Sequence, residues 1–531
     1  SRAFPNRFYR PKRKVDAMTD VCLGFEVHQP IRLSRNFNPD FARDKSLDEL
    51  FEVYFNNSWN KIILERVAEK CYLPANRIIL DCIDELKPEF KVAYSLSGVF
   101  LEQCERWSSA VLDSFEALAS TGCVEFLNQT YYHSIASLFD EGRSEFIEQV
   151  QMHKQLMKDL LGCEPQVFEN TEFIYNNSIA RCIEGLGYKG IYCEGAERIL
   201  GWRSPNYMYK AKDSNIKVLL KNYRLSDDIA FRFSMQGGEY PLTAEKYSAW
   251  IAATPGQCVN LFMDYETFGE HHWVESGIFE FLKWLPGEIL KYEHLRFSTP
   301  SEVVAEHEPV GDIDVGDYDT VSWADIERDV GAWIGNDMQR TCYAALRKLE
   351  PYVKRAKGTE KNSLLKLWRY LQISDHLYYM FTSGGAPGIV HGYFSQQTPV
   401  EVFHVYTRIL SHFQELVSEH LPKKLMTSAF LLRVLPPEKA LHYYENGSYT
   451  GISAHSLEEF RDTILLVSLK SIEFHVMSND LENWLEYTVG DKELAQATRM
   501  LKGLGLRGDE LQRRLHDVVK TRCDALKSAL T

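Results

Sequence analysis

Acids, imidazoles and aromatic rings crowd into one stretch of this sequence. Asp264, Tyr265, Glu266, Thr267, Phe268, Gly269, Glu270, His271, His272 and Trp273 follow directly on the apolar run Val259–Met263. Two carboxyl groups held on opposite sides of a glycosidic bond can cleave it, one attacking the anomeric carbon while the other protonates the leaving oxygen. The acid must then keep its proton near neutrality. Glu172, just after the apolar run Gln166–Phe168, and Asp264 form the natural pair. Aromatic faces that stack on sugar rings would complete such a site; Trp202, Tyr207, Trp273 and Trp333 are candidates, each equally readable as core.

Residues that act together must be brought together, and the apolar pattern indicates how. From residue 20 to about 300, short apolar runs alternate with amphipathic stretches: Val21–Val27, Phe90–Tyr94, Cys123–Leu127, Gln166–Phe168, Gly190–Cys193, Ile216–Leu220 and Val259–Met263. This pattern predicts seven strands of a parallel sheet crossed by helices, an α/β fold. One such helix is Arg143–Leu161, with Phe146, Val150, His153, Met157 and Leu160 on one face and Gly162 as its stop. In a β/α barrel the C-terminal strand ends share one face. His28 follows the first run, Ser95 and Ser97 the second, Glu125 and His133 the third, Glu172 the fourth, Glu194 the fifth, Arg224 and Asp227 the sixth, Asp264 and Glu266 the seventh. Any one of these reads as a solvated loop residue; a polar group at nearly every strand end weakens that reading.

Beyond the acidic loop Glu306–Asp319 the periodicity turns helical, over Asn336–Arg355, Asn362–Thr382 and Pro399–Glu419, with a Gly/Pro break at Gly384–Gly388. Leu364, Trp368, Leu371, Asp375 and Tyr378 fall on one helical face, and a carboxylate on such a stripe needs a partner or a cleft. The expected organisation is a barrel over 18–300, a helical domain over 301–425 that completes the cleft, and a small, mostly helical accessory domain over 426–531. Residues 1–17, rich in arginine and lysine, read as a leader or an expression remnant.

Composition narrows the partners. The 531 residues are 45% hydrophobic and 25% charged, which excludes disorder and low-complexity classes. A net charge of −14 argues against nucleic acid and anionic membranes, both of which require a cationic face. Eleven scattered cysteines without a CxxC pair read as reduced thiols in a cytoplasm. The apolar runs fall short of the roughly 18–20 residues a membrane helix needs. The sequence leaves the oligomeric state open and implies no cofactor.

Five separated stretches then resemble glycoside hydrolase family 57, the retaining α-glucan enzymes built on an incomplete (β/α)7 barrel. They are His28-Gln29-Pro30, Gly122-Cys123-Val124-Glu125, Asn170-Thr171-Glu172-Phe173, Asp264-Tyr265-Glu266-Thr267-Phe268-Gly269, and Ser374-Asp375-His376 with Tyr378-Tyr379-Met380. The resemblance implies Glu172 as nucleophile and Asp264 as acid, then base. It implies that His28, Glu125, Glu266 and Asp375 hold sugar hydroxyls, with His133, Arg203, Trp202, His271 and Trp273 as further substrate contacts. The implied substrate is an α-glucan or maltooligosaccharide, with α-amylase-type hydrolysis of α-1,4 links ahead of 4-α-glucanotransfer or branching. A tail over Ser456–Arg522 is similar to a small domain found fused to such enzymes.

Other readings exist. His28, Asp264, His271 and His272 could ligate a divalent ion in a metal-dependent deacetylase or mannosidase-like hydrolase, although the adjacent histidines lack the i, i+4 spacing of helical zinc sites. A glucan-binding protein without turnover is disfavoured by the retention of both Glu172 and Asp264. Gly503-Leu504-Gly505-Leu506-Arg507-Gly508 matches GxGxxG formally but follows no strand, which excludes a dinucleotide site.

Overall fold

A computed structural model describes residues 18–382 and 397–529. The basic segment 1–17 and the Gly384–Gly388 break lie outside the described residues. The described residues divide into two compact units: 18–29, Ile62–Tyr131 and Glu148–Trp323 form the first, and Pro30–Lys61, Tyr132–Ile147, 324–382 and 397–529 the second. The first unit runs to Trp323, and the segments 30–61 and 132–147 are grouped with the helical part of the chain.

The first unit is built on strands β1 (Thr19–Val27), β2 (Val92–Leu96), β3 (Val124–Phe126), β4 (Val167–Phe168), β5 (Gly190–Glu194), β6 (Tyr209–Ala211), β7 (Lys217–Lys221), β8 (Cys258–Asp264), β9 (Leu295–Phe297) and β10 (Asp312–Ile313). β1 lies between β8 and β2, β3 continues from β2, and β4 leads through β5 to β7, with every one of these pairings parallel. Two thin seams close the ring: the bridge Asn128↔Phe168 joins β3 to β4, and the single pair Lys221↔Asn260 joins β7 to β8. The result is the incomplete (β/α)7 barrel, an α/β fold. β6, antiparallel to β7, and β10, parallel to β6, extend the sheet; β6 escaped the sequence pattern because Lys210 and Lys212 interrupt its apolar character.

All nine residues of β1 are buried, as expected of a central parallel strand covered on both faces. Cys22, Leu127, Val167, Phe173, Tyr192, Leu219, Cys258 and Phe262 form one apolar cluster. Gly24 is required there, since a β-carbon would lie 2.4 Å from the Phe262 ring. The polar exception, Asp20, accepts from Arg296 Nε at 2.6 Å and from the Ser298 hydroxyl, and contacts His307 Nε2 at 2.5 Å. The helix expected over Arg143–Leu161 spans Ser144–Leu161, and Gly162 leaves it with φ +64°. His153 on that helix is bonded to Asn128 and, through Nε2, to Leu96 O at 2.6 Å. Burial pushes its pKa down to about 4, so the ring is neutral.

The second unit is mainly helical. Asp337–Arg355 and Pro399–Glu419 match their expected spans, each opened by a capping box, Asn336 with Gln339 and Thr398 with Glu401. The continuous helix expected over Asn362–Thr382 is broken in two, Lys361–Leu371 and Ser374–Tyr378. Ile373 pairs with Ser134 as an isolated bridge and Ser374 N donates to His133 O at 2.9 Å, which pulls the backbone out of the helix. Asp375 is thus in the first turn of a separate short helix and does not continue the stripe of Leu364, Trp368 and Leu371. Further on, β11 (Leu441–Glu445) and β12 (Ser448–Ala454) form a hairpin followed by helices ending at Ser528, around a core that includes Tyr443, Phe460, Trp484, Leu511 and Leu515. Among the described residues no helix is long and apolar enough to cross a membrane.

Candidate active site

Glu172 stands four residues beyond β4, in a single 3-10 turn over Thr171–Phe173. Glu172 (φ 61°) and Phe173 (φ 55°) are both left-handed, a conformation that costs non-glycine residues of order 1–3 kcal/mol each and persists only where neighbours over-determine it. The neighbours are on hand. Phe173 N donates to Asn170 O at 2.8 Å, Asn170 Nδ2 donates to Ile174 O at 2.8 Å, and the Thr130 and Thr171 hydroxyls bond at 2.6 Å. Trp323 holds the residue twice: its backbone N donates to Glu172 O at 3.1 Å, and its indole Nε1–H donates to the carboxylate Oε2 at 2.8 Å. The indole lies parallel to the Phe173 ring, 8° off plane and 5.0 Å away. Lys221 Nζ lies 5.2 Å from the Trp323 ring centroid and 5.7 Å from that of Phe173, within cation–π range, and pairs with buried Glu194 at 3.2 Å.

Asp264 is the last residue of β8 and half-buried. The Phe262 ring, two residues earlier on that strand, packs edge-on to Phe173 at 4.9 Å, which ties the β8 end to the turn of Glu172. Glu266 is buried one short turn after Asp264, bonded to the Tyr72 hydroxyl and, more loosely, to Gln29 Nε2 at 3.5 Å. Burial and then the Asp264 charge drive its pKa well above the usual carboxylate range. Gly269 has φ +108°, and a β-carbon there would lie 1.9 Å from Lys70 O; the motif ends in glycine because nothing larger fits.

The remaining candidates separate. His28 Nδ1 is bonded to Ser97 Oγ at 2.6 Å, and the same oxygen accepts from Phe100 N as the cap of the following helix. Glu125, expected at the sugar, sits mid-strand in β3 and accepts from Ser301 N at 2.8 Å and Ser301 Oγ at 2.5 Å, at the start of the helix Pro300–Glu306. Burial raises its pKa and these bonds oppose the rise; both oxygens are committed to a helix N-terminus. Arg203 is equally committed: Nη1 donates to Asp312 O, Nη2 to Ile199 O and Nε to Leu200 O. Trp202 is 95% exposed and Trp273 58% exposed, the latter under Lys70 Nζ at 5.2 Å; Trp333 is buried core. His271 is exposed, whereas His272 bonds Ser234 Oγ and Ala230 O through its two ring nitrogens. Within the second unit, His133 (φ 46°) and Asp375 approach within 4.8 Å through ligand-capable atoms.

The model of Glycosyl hydrolase family 57 matches residues 22–316, more than half of the chain. A protein of Methanocaldococcus jannaschii provisionally named an alpha-amylase is 48% identical over 410 residues, covering 76% of this chain and 86% of its own. The chain belongs to glycosyl hydrolase family 57. The fold agrees with that of the GH57 branching enzyme from Thermococcus kodakaraensis, with a TM-score of 0.53 at 13% identity over 76% of this chain and 91% of that one. It agrees likewise with the GH57-type branching enzyme from Pyrococcus horikoshii, with a TM-score of 0.52 at 14% identity over 77% and 94%.

For a family 57 chain, the motif residues account for only part of the site. Sequence reasoning missed Trp323, Tyr72 and the buried acids Glu26 and Glu169. The last pair was open to detection: Glu26 stands two residues before the His28 motif, and Glu169 one residue before Asn170, each a carboxylate inside an otherwise apolar strand end. Trp323 gave no such signal, because its partner lies 151 residues away in the chain.

Proposed function

We propose that this family 57 enzyme cleaves α-1,4-glucosidic links with retention, through a covalent glycosyl-enzyme formed on Glu172. Asp264 gives a proton to the departing sugar oxygen and then takes one from the acceptor that releases the glycosyl group. The observation that carries the reading is the setting of Glu172, a strand-end carboxylate turned out by a left-handed backbone with one oxygen fixed by the Trp323 indole. The Phe173–Phe262 contact supports Asp264 as its counterpart. Glu266 and His28 are assigned to sugar hydroxyls of the substrate. Hydrolysis of the α-amylase type is placed ahead of 4-α-glucanotransfer and branching, which share the intermediate and differ in whether water or a sugar hydroxyl reaches it. The eleven cysteines, all unbridged, suit a reducing cytoplasm.

The test is incubation of the purified protein with a maltooligosaccharide, with and without EDTA, following products by chromatography. Shorter sugars alone indicate hydrolysis, and longer sugars beside shorter ones indicate transfer. Near wild-type turnover in Glu172→Gln or Asp264→Asn would overturn the assignment, and activity lost to EDTA and restored by added metal would favour a metal-dependent reaction.

A further inference from the structure

Behind the two reactive carboxylates lies a second pair of acids. Glu26, the penultimate residue of β1, is level with Asp264 on β8 and with Ser95 on β2. Glu169 follows β4 directly and precedes Glu172 by three residues. Both are buried, Glu26 at 2% exposure and Glu169 at none. A chain of hydrogen bonds links them: Gln129 Nε2 donates to Glu26 Oε1 at 2.9 Å and to Ser95 Oγ at 2.8 Å, and Ser95 Oγ donates to Glu169 Oε2 at 2.9 Å. Ser95 and Gln129 thus join the two carboxyl groups in one buried hydrogen-bond network.

Two carboxyl groups buried away from water in one hydrogen-bond network resist carrying two charges. Burial, reinforced by the charge of Glu172, pushes Glu169 up to about 8, against the opposing hydrogen bonds of Glu26 and Ser95. The titratable groups around the pair are Glu172 on the β4 turn, Asp264 and Glu266 at the β8 end, neutral His153 against Gln129 N, and His28 two residues along from Glu26, held by Ser97.

We propose that Glu26 and Glu169 share one proton and act as positioning residues for the glycosidase reaction, their single negative charge keeping Asp264 protonated to higher pH than it otherwise would be. The proposal rests on the assignment of Asp264 as the acid. No atom of the pair reacts; its function is to fix the number of charges beside the acid. One proton on the pair makes it singly negative, and that charge opposes a further negative charge on Asp264.

Two readouts test this, one without turnover. In infrared difference spectra at pH 7, wild type minus Glu169→Gln should show loss of a protonated-carboxyl band, because Glu26 then ionises against the introduced amide. Absence of that difference would mean no shared proton and would overturn the proposal. In kcat/KM profiles, Glu26→Gln combined with Glu169→Gln should move the alkaline limb to lower pH by at least ~0.5 unit, as expected when one nearby charge is removed. Glu169→Gln alone, which leaves the charge on Glu26, should leave that limb in place. A double variant with a lower rate but an unmoved limb would reduce the pair to packing and refute the proposed role. If the double variant does not fold, the infrared comparison on the single variant decides. If the wild type turns over no glucan, the functional reading fails while the infrared result still reports on the pair.

Discussion

Trp323→Phe separates two contributions that the structure combines in one side chain. Phenylalanine preserves an aromatic ring over Phe173, where the indole now lies 5.0 Å away and nearly parallel, but lacks the N–H that reaches Glu172 Oε2 at 2.8 Å. A hydrogen bond to a charged group is worth about 1.5–3 kcal/mol. Glu172 is half-buried, so water replaces part of the lost donor, and the lower end of that range applies. A loss of ~1–2 kcal/mol in orienting the nucleophile corresponds to roughly 5- to 30-fold in kcat/KM. The fall should lie mainly in kcat, because the bond that is lost is made to the proposed nucleophile. The assay is steady-state kinetics on a maltooligosaccharide, paired with thermal unfolding; the melting temperature should change little, since the stack and the cation–π contact with Lys221 survive in large part. Trp323→Ala, which removes both, should lose stability as well. A Trp323→Phe enzyme within twofold of wild type in kcat would refute the argument and leave Trp323 as packing alone.

Gly269→Ala should destabilise the protein by more than ~3 kcal/mol, or prevent folding, because the left-handed backbone and the 1.9 Å approach to Lys70 O penalise the new methyl group together; denaturant midpoints measure it, and a loss below ~1 kcal/mol would contradict it. Glu125→Gln should reduce stability by about 1 kcal/mol through the weakened helix N-terminus at Ser301 while KM and kcat stay near wild type; a large rise in KM would return Glu125 to the substrate site. Burial works to raise the pKa of Asp20, but Arg296, Ser298 and His307 outweigh it and hold the acid low. A depressed folded-state value stabilises the protein above the unfolded value near ~3.9, and that stability is lost as pH falls through the folded one. Unfolding free energies between pH 7 and pH 3 should therefore fall less steeply in Asp20→Asn than in wild type, from a starting point lower by ~2–4 kcal/mol. Equal slopes would show that Asp20 contributes no pH-dependent stability.

What could be read from the chain follows from how each feature is encoded. Seven apolar runs gave seven barrel strands because strands covered on both faces write their burial as continuous hydrophobicity. β6 and β10, short and lysine-flanked or acidic, carry no such signature. The helix Pro399–Glu419 was legible to the residue because its capping box is local. The break at Ile373 was not, because its cause is a bridge to Ser134, distant in sequence. Glu125 illustrates the same limit inside a motif: its hydrogen-bond partner Ser301 lies 176 residues on.

The site itself shows why this limit falls hardest on function. β4 has two residues and meets β3 through one bridge, so the strand alone is too short to fix the left-handed turn that presents Glu172. The turn is held instead by Asn170, Thr130 and Trp323. Most of these act across long stretches of chain rather than through their own neighbours in sequence. A strained nucleophile on a minimal strand has to be secured by contacts from elsewhere in the chain, and those contacts become visible only when the distant segments are brought together. On the proposed assignment the motif supplies the reacting carboxylate, while the strength with which it is held, and so the rate it can support, is determined by residues that the motif does not contain.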